Sequence, residues 1–168
     1  MAAPPSDDEF QREFSALFTL AMGPATRILR SVPAAEDVAA EVLARAYTDW
    51  SRLRYAPWRD AWVVRVATNL AIDQVRRSGR RLPAVTVNDT GELEVRLDLA
   101  SAVARLPKRQ REAISLRYFG DLPEREVAAL MGVSVGSVKK HVHRGLASIR
   151  LDLGDGWRRG GPWEPAAC

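Results

Sequence analysis

The chain has 168 residues, of which 46% are hydrophobic, and 25 Lys and Arg against 21 Asp and Glu leave a formal net charge of +4. That length allows one domain or two small ones, and that apolar share supports a core, so a disordered chain is excluded. The one cysteine, Cys168, excludes an internal disulfide framework and suits a reducing cytoplasm.

No stretch approaches the roughly 18 apolar residues of a membrane span. The start "MAAPPSDDEF" lacks the basic and apolar runs of a secretory signal. A phosphate-cradling glycine loop with Lys, a CxxC pair and an HExxH pair are all absent from the sequence. His141 and His143 are two apart, so on a helix they point in different directions. We therefore expect no catalytic group, metal, cofactor or small-molecule substrate. The basic charge is clustered, in "RRSGRR" at 76–81 and "KKHVHR" at 139–144, whereas 89–98 is acidic. Clustering of that kind suits a nucleic acid, with a solvated surface as the plainer alternative.

In chain order, residues 8–31 are patterned as a helix that breaks or ends near Gly23-Pro24. Pro33 opens a second helix. Ala39, Val42, Leu43, Ala46 and Trp50 lie on one face of it, and Asp37, Glu41, Arg45 and Thr48 on another. "SRLRYAPW" (51–58) is a polar and aromatic connector stopped by Pro57. A third helix covers about 59–77. Its apolar side is Trp62, Val66 and Leu70, and Arg65, Asn69, Asp73 and Arg76 form a polar stripe. "LPAVTVNDTGELEV" has no helical period and reads as a linker, although "AVTV" alternates and could pair as a strand. Helices resume near Leu97. "RLDLASAVARL" is followed by Pro107, then by "KRQREAISLRYF", which Gly120-Asp121 ends. "LPEREVAALM" and "SVGSVKKHVHRGLASIRLDL" follow. The glycine-rich tail is expected to be disordered. The expectation is an all-α chain of two small helical domains, 8–81 and 97–152, joined by a flexible linker at 82–96, with a tail at 153–168.

Around "MGVS" the local chemistry is specific. Gly132 stands where a left-handed residue ends one helix, and Ser134 where a hydroxyl caps the next. Val127 and Leu130 point inward from the first helix, and Val138, Val142, Leu146 and Ile149 from the second. This is a helix-turn-helix. Ser137, Lys139, Lys140, His143 and Arg144 face outward near the start of the second helix, where such side chains can meet phosphates and guanine edges.

The stretch "LPKRQREAISLRYFGDLPEREVAALMGVSVGSVKKHVHRGLASIR" resembles the fourth conserved region of bacterial sigma factors. "EDVAAEVLARAY" and "AWVVRVATNLAIDQVRR" resemble the polymerase-docking and promoter-melting helices of the second region. With no third region between them, the chain resembles an extracytoplasmic-function sigma factor of the sigma-70 family, similar to an actinobacterial branch. The resemblance implies a non-catalytic, cytoplasmic and nucleoid-associated subunit. It binds the largest-subunit coiled coil and the flap of core RNA polymerase, as well as promoter DNA, and leaves room for an anti-sigma factor. It assigns polymerase docking to Asp37, Glu41 and Arg45, with Ala40 standing where the family usually has Gln. It assigns the minus-ten element to Arg52, Arg54, Tyr55, Trp58, Trp62, Asn69, Arg76, Arg77, Arg80 and Arg81. In that set cations suit phosphate, rings suit stacking, and Trp62 also suits a core anchor. It assigns the minus-thirty-five element to Arg117, Ser137, Lys139, Lys140, His143 and Arg144, with Lys140 standing where many relatives have Ser. "GVSVGSVKKHV" also resembles self-sufficient helix-turn-helix regulators, and a helical adaptor for acidic proteins is a third reading. Such a regulator does not need the arrangement of the N-terminal half, and nuclease-resistant pull-down without polymerase subunits would favour the adaptor.

Overall fold

The computed structural model describes residues 7–78 and 99–153, and every regular element among them is helical. Arg80, Arg81, the linker, its alternating "AVTV" and the tail beyond Leu153 lie outside the described residues. Helix α1 spans Asp7–Leu29 with Pro24 inside it, so the expected break at Gly23-Pro24 does not occur. A proline inside a helix costs about 3 kcal/mol. Leu17, Ile28 and Leu29 are fully buried around it, and burying each is worth about 1.5–3 kcal/mol. The packing of the whole helix therefore outweighs its local breaker. Arg30, at φ 55°, turns the chain out of α1.

Ser31 caps helix α2 (Val32–Thr48), its hydroxyl accepting from the Ala34 amide at 3.4 Å. Pro33 sits in the first turn, where its missing N–H would have no helical partner anyway. Ala35, Val38, Ala39, Val42, Leu43 and Ala46 face inward. A short helix α3 (Trp50–Leu53) and a turn lead to α4 (Arg59–Ser78), which packs along α1 and α2.

After the undescribed segment come α5 (99–105) and α6 (Lys108–Ile114). Arg111 ties the two together by donating to the Leu106 carbonyl at 2.9 Å. Burial, and after it the charge of Arg76, lowers the pKa of Arg111 from the usual guanidinium range. A π-turn over Ser115–Phe119 continues α6, closed by the Gly120 amide on the Ser115 carbonyl at 2.9 Å. Helices α7 (Glu124–Met131) and α8 (Val135–Leu153) complete the described residues.

The two halves pack against each other. One apolar cluster joins Leu17, Ile28, Trp50 and Val63 to Val103, Ile114, Phe119 and Ile149. A second sets Val64 of α4 among Leu116, Leu122, Val127 and Val138. Polar contacts fasten the same seam. Arg27 donates to the Phe119 carbonyl at 2.7 Å. Arg65 donates to the Leu130 carbonyl at 2.5 Å and to the buried Glu112 carboxylate at 2.6 Å. The approach is close: a Cβ on Gly120 would lie 2.8 Å from Val64 Cγ1 and 2.7 Å from the Leu116 carbonyl oxygen.

Candidate nucleic-acid interface

Three surfaces carry the expected residues. The first is the outer face of α2. Burial of its other side turns Asp37, Ala40, Glu41 and Arg45 to solvent. Glu41 and Arg45 pair at 2.8 Å, with both side chains about half exposed. Such a pair adds at most about 0.5 kcal/mol to the fold. Asp37, one turn before Glu41, has no ion pair among the described residues. Among the described residues nothing covers this face.

The second surface is the turn between α3 and α4. The Ala56 amide donates to the Leu53 carbonyl at 2.9 Å, and that of Arg59 to the Ala56 carbonyl at 3.0 Å. This backbone holds two rings outward: Tyr55 is 76% exposed and Trp58 40%. Large exposed rings are informative because a core would otherwise claim them. The Arg52 guanidinium lies 5.5 Å from the Trp58 ring centre, and that of Arg54 lies 4.7 Å from the Tyr55 ring centre. Arg52 is exposed, whereas Arg54 is largely buried and paired with Glu9 at 3.0 Å. Trp62 is half-buried against the core.

Asn69 is exposed on α4, ten residues past Arg59, which is about 15 Å along the helix. It makes no hydrogen bond to the turn among the described residues. Arg76 pairs with Asp73 at 3.2 Å, and Arg77 donates to the Asp73 carbonyl at 3.3 Å.

The third surface is the helix-turn-helix of α7 and α8. Gly132 has φ 65°, the left-handed value that ends α7 without a Cβ penalty. The Ser137 amide donates to Ser134 Oγ at 3.2 Å, which caps α8. The Ser137 hydroxyl lies 3.0 Å from that same oxygen, so this side chain belongs to the cap as well as to the face. Val138 and Ile149 are buried, and Val142 and Leu146 half-buried. Lys139, Lys140, His143 and Arg144 are all exposed. Lys139 Nζ lies 3.7 Å from Glu124, a weak surface pair. Arg117, in the π-turn, is half-buried with its guanidinium 5.8 Å from the Tyr118 ring centre.

Among the described residues no group of His, Cys, Asp and Glu could hold a metal ion, and no helix is long and apolar enough to cross a membrane. The structure also shows contacts that sequence reasoning missed. Glu9 and Glu13 reach Arg54 and Arg59 of the turn. Only their spacing of four was visible in sequence, not a partner 45 residues away.

Residues 14–81 match the family model for Sigma-70 region 2, and residues 96–149 match that for Sigma-70, region 4. The chain is 29% identical over 150 residues to the ECF RNA polymerase sigma factor SigW of Bacillus subtilis, covering 77% of this chain and 80% of that one. It is 31% identical over 147 residues to the ECF RNA polymerase sigma factor SigL of Mycobacterium tuberculosis, covering 77% and 80%. It is 32% identical over 126 residues to the RNA polymerase sigma-E factor of Streptomyces antibioticus, covering 71% and 70%. Its fold resembles the sigma factor RpoE of Bartonella quintana, solved with the anti-sigma factor NepR. The TM-score is 0.57 at 22% identity, over 87% of this chain and 97% of that one.

Proposed function

Because the chain belongs to the extracytoplasmic-function sigma factors of the sigma-70 family, we propose how its three surfaces divide the work of promoter-specific initiation. The outer face of α2 docks on the coiled coil of the largest polymerase subunit, and the second half reaches the flap. Tyr55, Trp58 and Asn69 trap unpaired bases of the minus-ten element. Arg52, Arg76 and Arg77 hold its phosphates, and Arg80 and Arg81 extend that series. The exposed face of α8 reads the minus-thirty-five element. The chain contributes no catalytic group and works with polymerase at the bacterial nucleoid.

The observation that carries this reading is the pair of rings held outward by a built turn, on the same chain as a capped helix with four exposed basic residues. A self-sufficient regulator needs the second feature and has no use for the first. Strand opening then follows from energetics. Extruding a base costs a few kcal/mol, and stacking on an aromatic ring returns about 1–3 kcal/mol per base. The test is permanganate footprinting of promoter DNA with the protein alone, with core polymerase alone and with both. Reactive thymines only in the third sample support the reading, and thymines made reactive by the protein alone would refute it.

Two variants separate its parts. Asp37→Lys with Glu41→Lys should weaken core binding by at least about tenfold. Far-UV circular dichroism should be unchanged, because these side chains give the helix only a few tenths of a kcal/mol. Full retention of core binding would remove α2 from the docking surface. Asn69→Ala should impair opening by about 1–3 kcal/mol, the worth of one base-edge hydrogen-bonding pair. Closed-complex binding should be unaffected. Footprinting on duplex and pre-melted templates separates the two steps, and no defect on either would exclude Asn69 from the pocket.

A further inference from the structure

We infer that Glu9, at the start of α1, is a positioning residue for minus-ten capture: through Arg54 it fixes the outward pose of the Tyr55 ring. The inference rests on the reading of the turn given above and adds to it a residue outside the turn.

Tyr55 is three-quarters exposed, so core packing does not set its direction. The neighbour that can set it is the Arg54 guanidinium, 4.7 Å from the ring centre. That guanidinium is itself held. Its side chain is 12% exposed, and Nη1 donates to Glu9 Oε2 at 3.0 Å. Arg54 Nε is buried with no hydrogen-bond partner. Desolvating an arginine is costly unless an anion compensates, and Glu9 is the anion paired with this one. One turn along α1, Glu13 holds Arg59 at 3.3 Å, and Arg59 also pairs with Asp60 at 3.0 Å. Between the two carboxylates, Phe10 meets the buried Trp50 edge-on, ring centres 5.0 Å apart. One face of α1 thus clasps both ends of the turn.

Arg54 therefore differs from Arg52. Its charge is paired with Glu9 and turned toward the protein, whereas the Arg52 side chain is exposed at the rim. We assign phosphate binding to Arg52 and ring support to Arg54. An aromatic ring held in its stacking pose before a base arrives loses less freedom on capture. A cation over its face also strengthens that pose.

The experiment uses holoenzyme on a fork template whose minus-ten strand is already single. Glu9→Gln keeps the side-chain shape and removes the charge. It should weaken fork binding about three- to tenfold, and so should Arg54→Met. Neither should change the salt slope, whereas Arg52→Ala should reduce it by about 0.7, one single-strand phosphate contact. In a Tyr55→Ala background Glu9→Gln should have no further effect, as expected of residues acting in series. In the free protein carrying 3-fluorotyrosine, the fluorine signal that disappears in Tyr55→Phe should move in Glu9→Gln. An unmoved signal, or an equal Glu9→Gln defect with and without Tyr55, overturns the positioning role. A moved signal supports that pose even where Tyr55→Ala leaves fork binding intact, and that last result would instead refute base capture by the turn.

Discussion

Arg65→Met is expected to lower the unfolding free energy by about 2–3 kcal/mol. The Arg65 guanidinium holds both the Glu112 carboxylate, 9% exposed, and the Leu130 carbonyl, and so joins α4 to α6 and α7. Among the described residues, removing it leaves Glu112 paired with Arg109 alone, which lies 3.5 Å away and is itself half exposed. Breaking a fully buried pair costs about 3–5 kcal/mol. The figure here is smaller because Arg65 is one-third exposed and Arg109 remains. Glu112→Gln should cost less, about 1 kcal/mol, since it keeps an acceptor for Arg65. Arg65→Met with Glu112→Leu should recover most of the loss, because neither charge is then stranded. Urea unfolding checks all three. The loss falls on the seam between the halves, so the Arg65→Met transition should broaden or split. An unchanged midpoint and slope would show that the ion pair is not part of what holds the halves together.

The same variant bears on function. Elements centred near minus-ten and minus-thirty-five are about 25 base pairs apart, or about 85 Å at 3.4 Å per step. In this structure α7 lies against α4, so the helix-turn-helix is packed on the half that carries the ringed turn. Reading both promoter elements at once, as proposed, requires the seam to part. Arg65→Met should therefore cost the free protein stability while leaving holoenzyme formation intact.

What could be read in the sequence was the chemistry that acts locally. Gly132 and Ser134 are recognisable because a left-handed residue and a hydroxyl cap are demands of the adjacent backbone, and both are met. The start of α2 near Pro33 was legible for the same reason, although its Ser31 cap was not foreseen. Pro24 misled because its local cost is set against apolar burial along all of α1, which no short window contains. The π-turn was hidden because one extra residue per turn shifts a 3.6-residue period by too little to notice over five positions. For the site, the basic face of α8 followed from residue type and spacing, whereas the role expected of the turn's rings came from the resemblance. Arg54 looked identical to Arg52 in sequence. Only the fold brings Glu9 to one and leaves the other in solvent.

On the face of α8, Lys140→Ala is expected to cost about 1–3 kcal/mol on the cognate minus-thirty-five element and to flatten preference at one or two base pairs. Lys140 and His143 are both exposed, three residues apart, on the side away from buried Val138. Their place near the capped start of the helix is where side chains of a helix-turn-helix reach base edges. His143→Ala should behave like Lys140→Ala with a smaller loss, since one imidazole makes fewer contacts than a lysine with three donors. Arg144→Ala, Lys139→Ala and Arg117→Ala should instead weaken every sequence alike and lower the salt slope by about 0.9 for each phosphate left without its cation. Of these three, Lys139 should show the smallest change, because its ammonium already lies 3.7 Å from Glu124 and must leave that carboxylate to meet a phosphate. Glu124→Gln should accordingly tighten binding to all sequences and steepen the salt slope, while leaving the selected motif as it was. Holoenzyme selection from a library randomised at the minus-thirty-five element, run at two salt concentrations, measures both quantities together. If Lys140→Ala and His143→Ala lower affinity uniformly and leave the motif unchanged, both are phosphate contacts, and sequence must be read by other residues of the face.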